Sequence, residues 1–252
     1  RSSAALPAAR TSLGDMLDLD DIHVEFAPDL VDMVLDPANG LDARIASMRS
    51  HVATAFGLLL TEIRLTDNPA LPPGTYLIRI HGVEQARDTL RPGRLLALLG
   101  NGPGNPPQGE DVRGPVYGAQ ARWIAPDDQG VAQIAGLTTV WPAEVLATHL
   151  LEIIKKNFAR LMTHKALRRL LDEMVNLTDR TRAEMNRRLI EELVPDRVPV
   201  DVLLAVLRLL LDERVSIRNL PLILEATAEG RQIAQNVDMI AEHVRQRLGF
   251  QL

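Results

Sequence analysis

WPAEVLATHLLEIIKKNFARLM, residues 141–162, decides how the chain divides. Leu146, Leu150, Ile153, Ile154 and Leu161 recur at three- and four-residue spacing, the apolar stripe of a core-facing helix over about 143–162. Glu144, Thr148, Glu152 and Lys155 fall on the other side, and the last two are spaced for a weak ion pair of about 0.2–0.5 kcal/mol. Thr148 therefore lies on an accessible face, although the pattern by itself favours a hydroxyl bonded back to a preceding carbonyl. Pro142 suits the first helical position and leaves Trp141 at the N-cap, where a Ser, Thr, Asp or Asn oxygen normally accepts a backbone bond. Trp cannot accept one, at a cost of about 1 kcal/mol. Its ring is expected to pack at a junction and, with Tyr117 and Trp123, to line an apolar groove; ordinary core packing accounts for each ring equally well.

Working outward, strand and helix patterns are mixed before this segment and nearly all helical after it. Ile22–Phe26 alternates as a half-buried strand, Leu41–Phe56 carries a helical stripe closed by Gly57, and Leu59–Thr66 and Thr75–His81 read as strands around the turn NPALPPG. Leu95–Leu99 is a short apolar run, GNGPGNPPQG (100–109) a flexible tip, and Val116–Ile124 a further strand before a polar loop or short helix reaching Gly136. Residues 93–141 thus look inserted into an α/β unit. Helices are expected over about 143–162, 164–176, 181–194, 200–213, 220–229 and 236–248. The fold class is α+β in several subdomains: an α/β first part with a small α/β insert, then an all-helical part. The opening RSSAALPAARTS has the composition of a linker, taken as 1–19, and the chain reads as a fragment.

Composition bounds the chemistry. The 252 residues carry a net charge of −5 and no cysteine, which removes disulfides, thiolate metal sites and cysteine nucleophiles. Residues 1–150 hold 11 Arg against 18 Asp and Glu, a charge of −7, and residues 151–252 hold 17 basic against 15 acidic residues, a charge of +2. No basic stripe of the kind that binds nucleic acid results. No stretch reaches the roughly 18–20 apolar residues that span a bilayer; Val202–Leu211 is interrupted by Arg208.

Catalytic motifs fail one by one. Gly100-Asn-Gly-Pro-Gly has Asn105 where a dinucleotide loop needs glycine and opens no helix, and no Gly-Lys pair exists for a phosphate loop. His23, His51, His81, His149, His164 and His243 show no metal-ligand spacing, and no Ser sits in a nucleophile elbow. Asn176-Leu-Thr178 matches a glycosylation triplet without a secretory signal, and adjacent acidic pairs such as Asp20-Asp21 point apart. The expectation is no enzyme, no cofactor and no metal. Residues 200–229 have the outline of a helix-turn-helix regulator, but LPLILEATAE carries two Glu and no base, which opposes docking on phosphates.

PVYGAQARWI (115–124) and GLTTVWPAEVLATHLLEIIKKN (136–157) resemble the cytosolic domain of FlhA-type, or FHIPEP, flagellar type III export gates. So do PDLVDMVLDPANGLDARIASMR (28–49), EIRLTDNPALPPGTYLIRIHGVE (62–84), EELVPDRVPVDVLLAVLRLLLDERVSIRNLPLILEA (191–226) and VRQRLGFQL (244–252), in family order. The resemblance implies a first subdomain over 20–92 plus 142–161, an inserted second over 93–141 and a helical third over 162–252, with a fourth subdomain and a membrane domain outside this chain. It implies a docking platform at the cytoplasmic face of the bacterial inner membrane. The platform would bind flagellar export chaperone–substrate complexes and other export-apparatus proteins, assemble as a nonameric homo-oligomer, and bind no nucleic acid. A virulence-type export gate is the alternative within the family, although DERVSIRNLPLILE and VRQRLG look more flagellar. Carried over residue by residue, the family's chaperone-binding dimple falls on Tyr117 and Thr148, with Leu98 as a hydrophobic wall. The family's acidic position there is Gly114, a departure that removes one polar contact.

Overall fold

Ile22, Val24 and Phe26 turn inward from β1 (Ile22–Phe26) because alternate strand residues share one face. The computed structural model describes residues 13–100 and 104–249. Residues 1–12 of the expected linker, Asn101–Pro103 of the glycine-rich tip and residues 250–252 lie outside the described residues. Within the rest of the expected linker, Leu13–Leu17 forms a short helix, α1.

From β1 the chain passes through α2 (Val31–Leu35) and α3 (Leu41–Phe56) to β2 (Ile63–Asp67), which lies parallel to β1. A helical crossover is what a parallel neighbour requires. The expected strand over Leu59–Thr66 starts late: Leu58 and Leu60 are buried as packing residues, and the Leu60 carbonyl accepts from Arg49 at 3.1 Å instead of joining a ladder. β3 (Thr75–Ile80) runs antiparallel to β1 and is almost wholly buried, and β4 (Val83–Thr89) pairs with it at the sheet edge. The two-residue connection His81-Gly82 has φ of 48° and 76°, as the primed hairpin turns demand. The order is β2-β1-β3-β4.

The inserted stretch builds a second, antiparallel sheet ordered β6-β7-β5-β8 from β5 (Leu95–Leu98), β6 (Gly109–Arg113), β7 (Gln120–Ile124) and β8 (Thr138–Val140). The six-residue helix α4 (Gln129–Ile134) lies between β7 and β8. The expected strand over Val116–Ile124 begins only at Gln120, since Gly114–Gly118 closes a turn through a 2.9 Å bond from the Gly118 amide to the Gly114 carbonyl. Period-two alternation splits β5 between two cores. Leu95 and Ala97 meet Ile124, Ala132 and Leu137 in a small cluster, while Leu96 faces the main core.

α5 (Pro142–Lys156) closes both sheets, burying Val145, Leu146, His149, Leu150, Ile153 and Ile154. The long helix expected to Met162 breaks at Asn157, whose side chain donates to the Ile153 carbonyl at 2.8 Å, and resumes as α6 (Phe158–Leu161). Five helices follow: α7 (His164–Val175), α8 (Arg180–Leu193), α9 (Val200–Asp212), α10 (Leu220–Ile233) and α11 (Val237–Gly249). Thr163, Asp179 and Asn219 accept backbone N–H bonds at the starts of α7, α8 and α10. The break expected near Gly230 does not occur. α10 runs through it because Gly230 lies against α11, where a Cβ would meet Ile240 Cγ2 at 3.2 Å.

This packing also disposes of the helix-turn-helix outline. α10 buries Leu220, Ile223, Leu224, Ala226, Thr227 and Ala228 among its neighbours, and the face it leaves open carries Glu225 and Glu229, whose carboxylates phosphates would repel.

The α/β and helical parts meet around Gly57. The Ile217 amide donates to the Phe56 carbonyl at 2.8 Å, the Phe56 and Phe158 rings lie 4.8 Å apart, and Arg208 Nε donates to the Met162 carbonyl at 2.8 Å. Gly57 has φ of 79°, and a Cβ there would sit 2.6 Å from the Arg218 amide nitrogen. We predict that Gly57→Ala costs at least about 1–2 kcal/mol, from the left-handed conformation alone, with the clash added. A urea midpoint within error of the wild type would show that this junction does not require glycine.

Candidate functional site

Leu96 and Leu98 share one face of β5, and both point toward α5 rather than into the small core of the insert. β8 lies beside β5 and sets Val140 opposite Leu96. From α5, Val145 and Thr148 arrive three residues apart on one helical face. The turn between β6 and β7 folds Gly114, Pro115, Val116, Tyr117 and Ala119 over the top. These residues enclose a cavity of about 130 Å³. Apart from the Thr148 and Tyr117 hydroxyls and main-chain groups, its walls are aliphatic or aromatic carbon.

The four residues picked out from the sequence are therefore brought together around one concavity: Leu98, Gly114, Tyr117 and Thr148 all line it. Leu98 is 38% and Tyr117 75% exposed, so among the described residues nothing covers the apolar surface of the rim. The Tyr117 turn is held by the Gly114 amide donating to the Ala119 carbonyl at 2.7 Å and by Arg113 reaching the Gly118 carbonyl at 3.3 Å. Gly114 itself has room. An added Cβ would come no nearer than 3.5 Å to the Ala119 oxygen, and its φ is not in the left-handed region. Leu96, Val140 and Val145 complete the walls; they went unselected in the sequence because strand and helix apolar residues carry no mark that separates a cavity wall from a core.

Two expectations about this region change. The three aromatics do not converge. Trp123 is buried in the main core, and Trp141 faces a separate concavity with Met33, Gly93 and Pro142, leaving Tyr117 as the one ring at the 130 Å³ cavity. Trp141 makes no capping bond, as its chemistry requires. Thr148 does not make the back-bond expected of it among the hydrogen bonds of the described residues; Thr227 in α10 makes one of that kind, to the Ile223 carbonyl at 2.6 Å. Glu152 and Lys155 do pair, at 2.9 Å.

Behind the cavity lies a buried polar contact. Tyr76 of β3 and His149 of α5 meet at 2.6 Å between the phenol oxygen and Nδ1, with ring planes at 83°. Burial pushes the Tyr76 phenol well above its ordinary range, with the Asp88 carboxylate adding to the effect. The phenol is thus a neutral donor. Burial also pushes the His149 imidazole below its ordinary value near 6.5, opposed by Asp88 and aided by Lys156. His149 accordingly accepts at Nδ1 as neutral imidazole.

A wider concavity, about 620 Å³, is an open trough between α3 and α5 lined by Arg44, Ser47, Met48, His51, Glu144 and Thr148. Its mixed charges converge on no single point. Among the described residues there is no group of three or more His, Asp or Glu that would hold a metal ion. The ion pairs Arg91–Glu110 and Arg122–Asp111 tie the edge strand β6 to the loop after β4 and to β7, and hold both carboxylates below their ordinary range. These are exposed surface pairs, worth little. The arrangement around the cavity can bury an apolar side chain and offer the hydroxyls of Thr148 and Tyr117; among its lining residues no nucleophile is paired with a base.

A family model described as the FHIPEP family matches residues 2–252. The chain is 35% identical over 237 residues to the flagellar biosynthesis protein FlhA of Caulobacter vibrioides, covering 94% of this chain and 33% of that protein. It is 32% identical over 243 residues to FlhA of Bacillus subtilis, covering 96% and 35%. The chain spans about a third of the length of these curated relatives. Among solved structures, Chlamydia pneumoniae CdsV superposes with a TM-score of 0.71 at 22% identity, over 90% of this chain and 65% of that one. The nonameric SctV-C of EPEC gives 0.62 at 17% identity, over 91% and 65%. At these identities the structures speak for the fold.

The His149 shift carries a pH prediction. Its folded pKa lies below the unfolded one, so the unfolded chain takes up the proton first; the stability due to neutral His149 is complete above about pH 6.5 and is lost as the pH falls from there through the folded pKa. His23 shifts in the same direction through burial. We expect the melting temperature to drop between pH 7 and 5, and the drop to be smaller in His149→Gln, which cannot titrate. An unchanged slope in that variant would move the effect elsewhere.

Proposed function

Because the chain belongs to the FHIPEP family, we propose that it is a docking platform of a flagellar type III protein export gate, which receives export chaperone–substrate complexes at the Leu98–Gly114–Tyr117–Thr148 cavity and hands the substrates to the membrane gate. It works by binding rather than catalysis. The observation that carries this reading is an apolar cavity, open to solvent, whose rim holds an exposed tyrosine. Tyrosine supplies large contact area at little entropic cost, and binding energy concentrates on such anchors. A partner helix that inserts one apolar side chain between Leu98 and Val145 would bury the Tyr117 ring and meet the Thr148 hydroxyl.

The flagellar kind is favoured over the virulence kind by sequence distance. FlhA proteins are 35% and 32% identical to this chain, whereas the CdsV and SctV-C structures are 22% and 17% identical. In the whole protein this segment would be the cytosolic part of an inner-membrane gate. It would divide into a first subdomain over 20–92 plus 142–161, a second over 93–141 and a third over 162–252. Among the described residues no helix is long and apolar enough to cross a membrane. A nonameric ring of such segments, contacted by other export-apparatus proteins, follows from the same reading; EPEC SctV-C forms a nonamer, and CdsV has been solved in complex with CdsO.

Tyr117 is exposed, so its truncation removes contact area without opening a core. Tyr117→Ala is predicted to weaken a flagellar chaperone–substrate complex by about 2 kcal/mol, the scale of an interface anchor, while leaving the melting temperature unchanged. Titration calorimetry showing wild-type affinity would remove Tyr117 from the docking site. Gly114→Asp restores the family's carboxylate at a position with space for it, and is expected to tighten binding in a salt-sensitive way. Equal affinity at low and high salt would show that no partner cation faces this position.

A further inference from the structure

The Tyr76–His149 contact has more to it than stability. Both side chains are buried, Tyr76 fully and His149 to 7% exposure, and they link the sheet-interior strand β3 to the middle of α5 at 2.6 Å. Apolar neighbours surround them: Ile78 and Ile80 on β3, and Leu146, Leu150 and Ile153 on α5. Apolar contacts are non-directional and tolerate small rotations of a helix about its axis. A hydrogen bond does not, since it has one donor, one acceptor and a narrow range of angles. His149 follows Thr148 directly and lies one helical turn beyond Val145, so the rotation that aims His149 at the phenol also aims Val145 and Thr148 at the cavity.

We propose that the buried Tyr76–His149 hydrogen bond is the positioning element of the docking cavity: it fixes the rotation of α5 on the first sheet, and with it the placing of Val145 and Thr148 in the cavity wall. Neither residue lines the cavity, so both act through the helix. This inference rests on the docking reading for its effect on binding, but not for its effect on α5. The charged groups that face the pair are Asp88 from β4 and Lys156 from α5, and neither supplies a substitute bond to Nδ1.

Replacing both partners separates positioning from stability. Tyr76→Phe alone leaves Nδ1 without its donor and is expected to lower the melting temperature. Tyr76→Phe with His149→Leu removes both polar groups, a change that can be nearly neutral for stability, and is expected to recover most of that loss. Two readouts on the double variant then decide. Backbone amide shifts of Val145, Thr148 and the 114–119 turn should move away from wild type. Affinity for the chaperone–substrate complex should stay about tenfold weaker, equivalent to about 1.4 kcal/mol. Wild-type shifts at those amides would overturn the proposal whatever the partner does, and so would affinity that recovers together with stability. Should Tyr117→Ala bind like wild type, the docking reading falls separately, and the amide shifts still judge the role of the pair. His149→Asn with Tyr76 intact keeps an acceptor oxygen at the distance of Nδ1 along the side chain and is expected to retain both the wild-type shifts of the 114–119 turn and the affinity; failure to do so would contradict the hydrogen bond as the cause.

Discussion

Everything in this molecule hangs on how α5 is buried. A surface helix normally hides one stripe and shows the rest. α5 instead meets the first sheet, the strands of the insert and, through α6, the helical part, and the main core runs without interruption through all three. Each fully buried Leu or Ile is worth roughly 1.5–3 kcal/mol, and Leu146, Leu150 and Ile154 are all at 0% exposure. With so much of its perimeter committed, α5 leaves open one strip that runs from Glu144 through Ala147, Thr148 and Leu151 to Glu152, Lys155 and Lys156. The apolar cavity is a consequence of that commitment. It forms where the second sheet stops short of covering the last of the helix.

An incompletely covered helix beside a sheet would ordinarily be closed by one more large side chain. Here the turn that could supply it is Gly114-Pro-Val-Tyr-Gly118, and it holds Tyr117 outward while Gly114 contributes no side chain. The result is apolar surface kept in solvent, which the proposed partner would cover on binding. Area by itself does not set affinity. An anchor that enters a pre-formed pocket loses less freedom than one that must build its pocket, and the buried Tyr76–His149 bond supplies the rigidity such a pocket needs.

The helices and the first sheet were largely legible in the sequence, for physical reasons that also explain what was not. Leu41–Phe56 with Gly57 behind it, and Ile22–Phe26, carry clean periods and end where expected. β4, with the sequence VEQARDT, and β6, with GEDVR, are edge strands whose exposed faces are charged, so neither shows an apolar alternation. Leu59–Glu62 shows the converse error, apolar residues that pack without pairing. For the site, Tyr117, Thr148, Leu98 and Gly114 came from likeness to a family rather than from any local pattern, and the fold sets all four around one cavity. The grouping of Trp123 and Trp141 with Tyr117 failed because scarcity of aromatics says nothing about direction. The Tyr76–His149 bond joins residues 73 apart and leaves no trace in local spacing.

The central claim is that partners dock at this cavity. It is tested most directly by titrating a flagellar chaperone–substrate complex into the isotope-labelled chain and following each backbone amide. Shifts are expected to concentrate at Leu98, at the 114–119 turn and along Val145–Thr148, with α7 to α11 quiet. Shifts confined to the helical part, with the cavity amides unmoved, would contradict it.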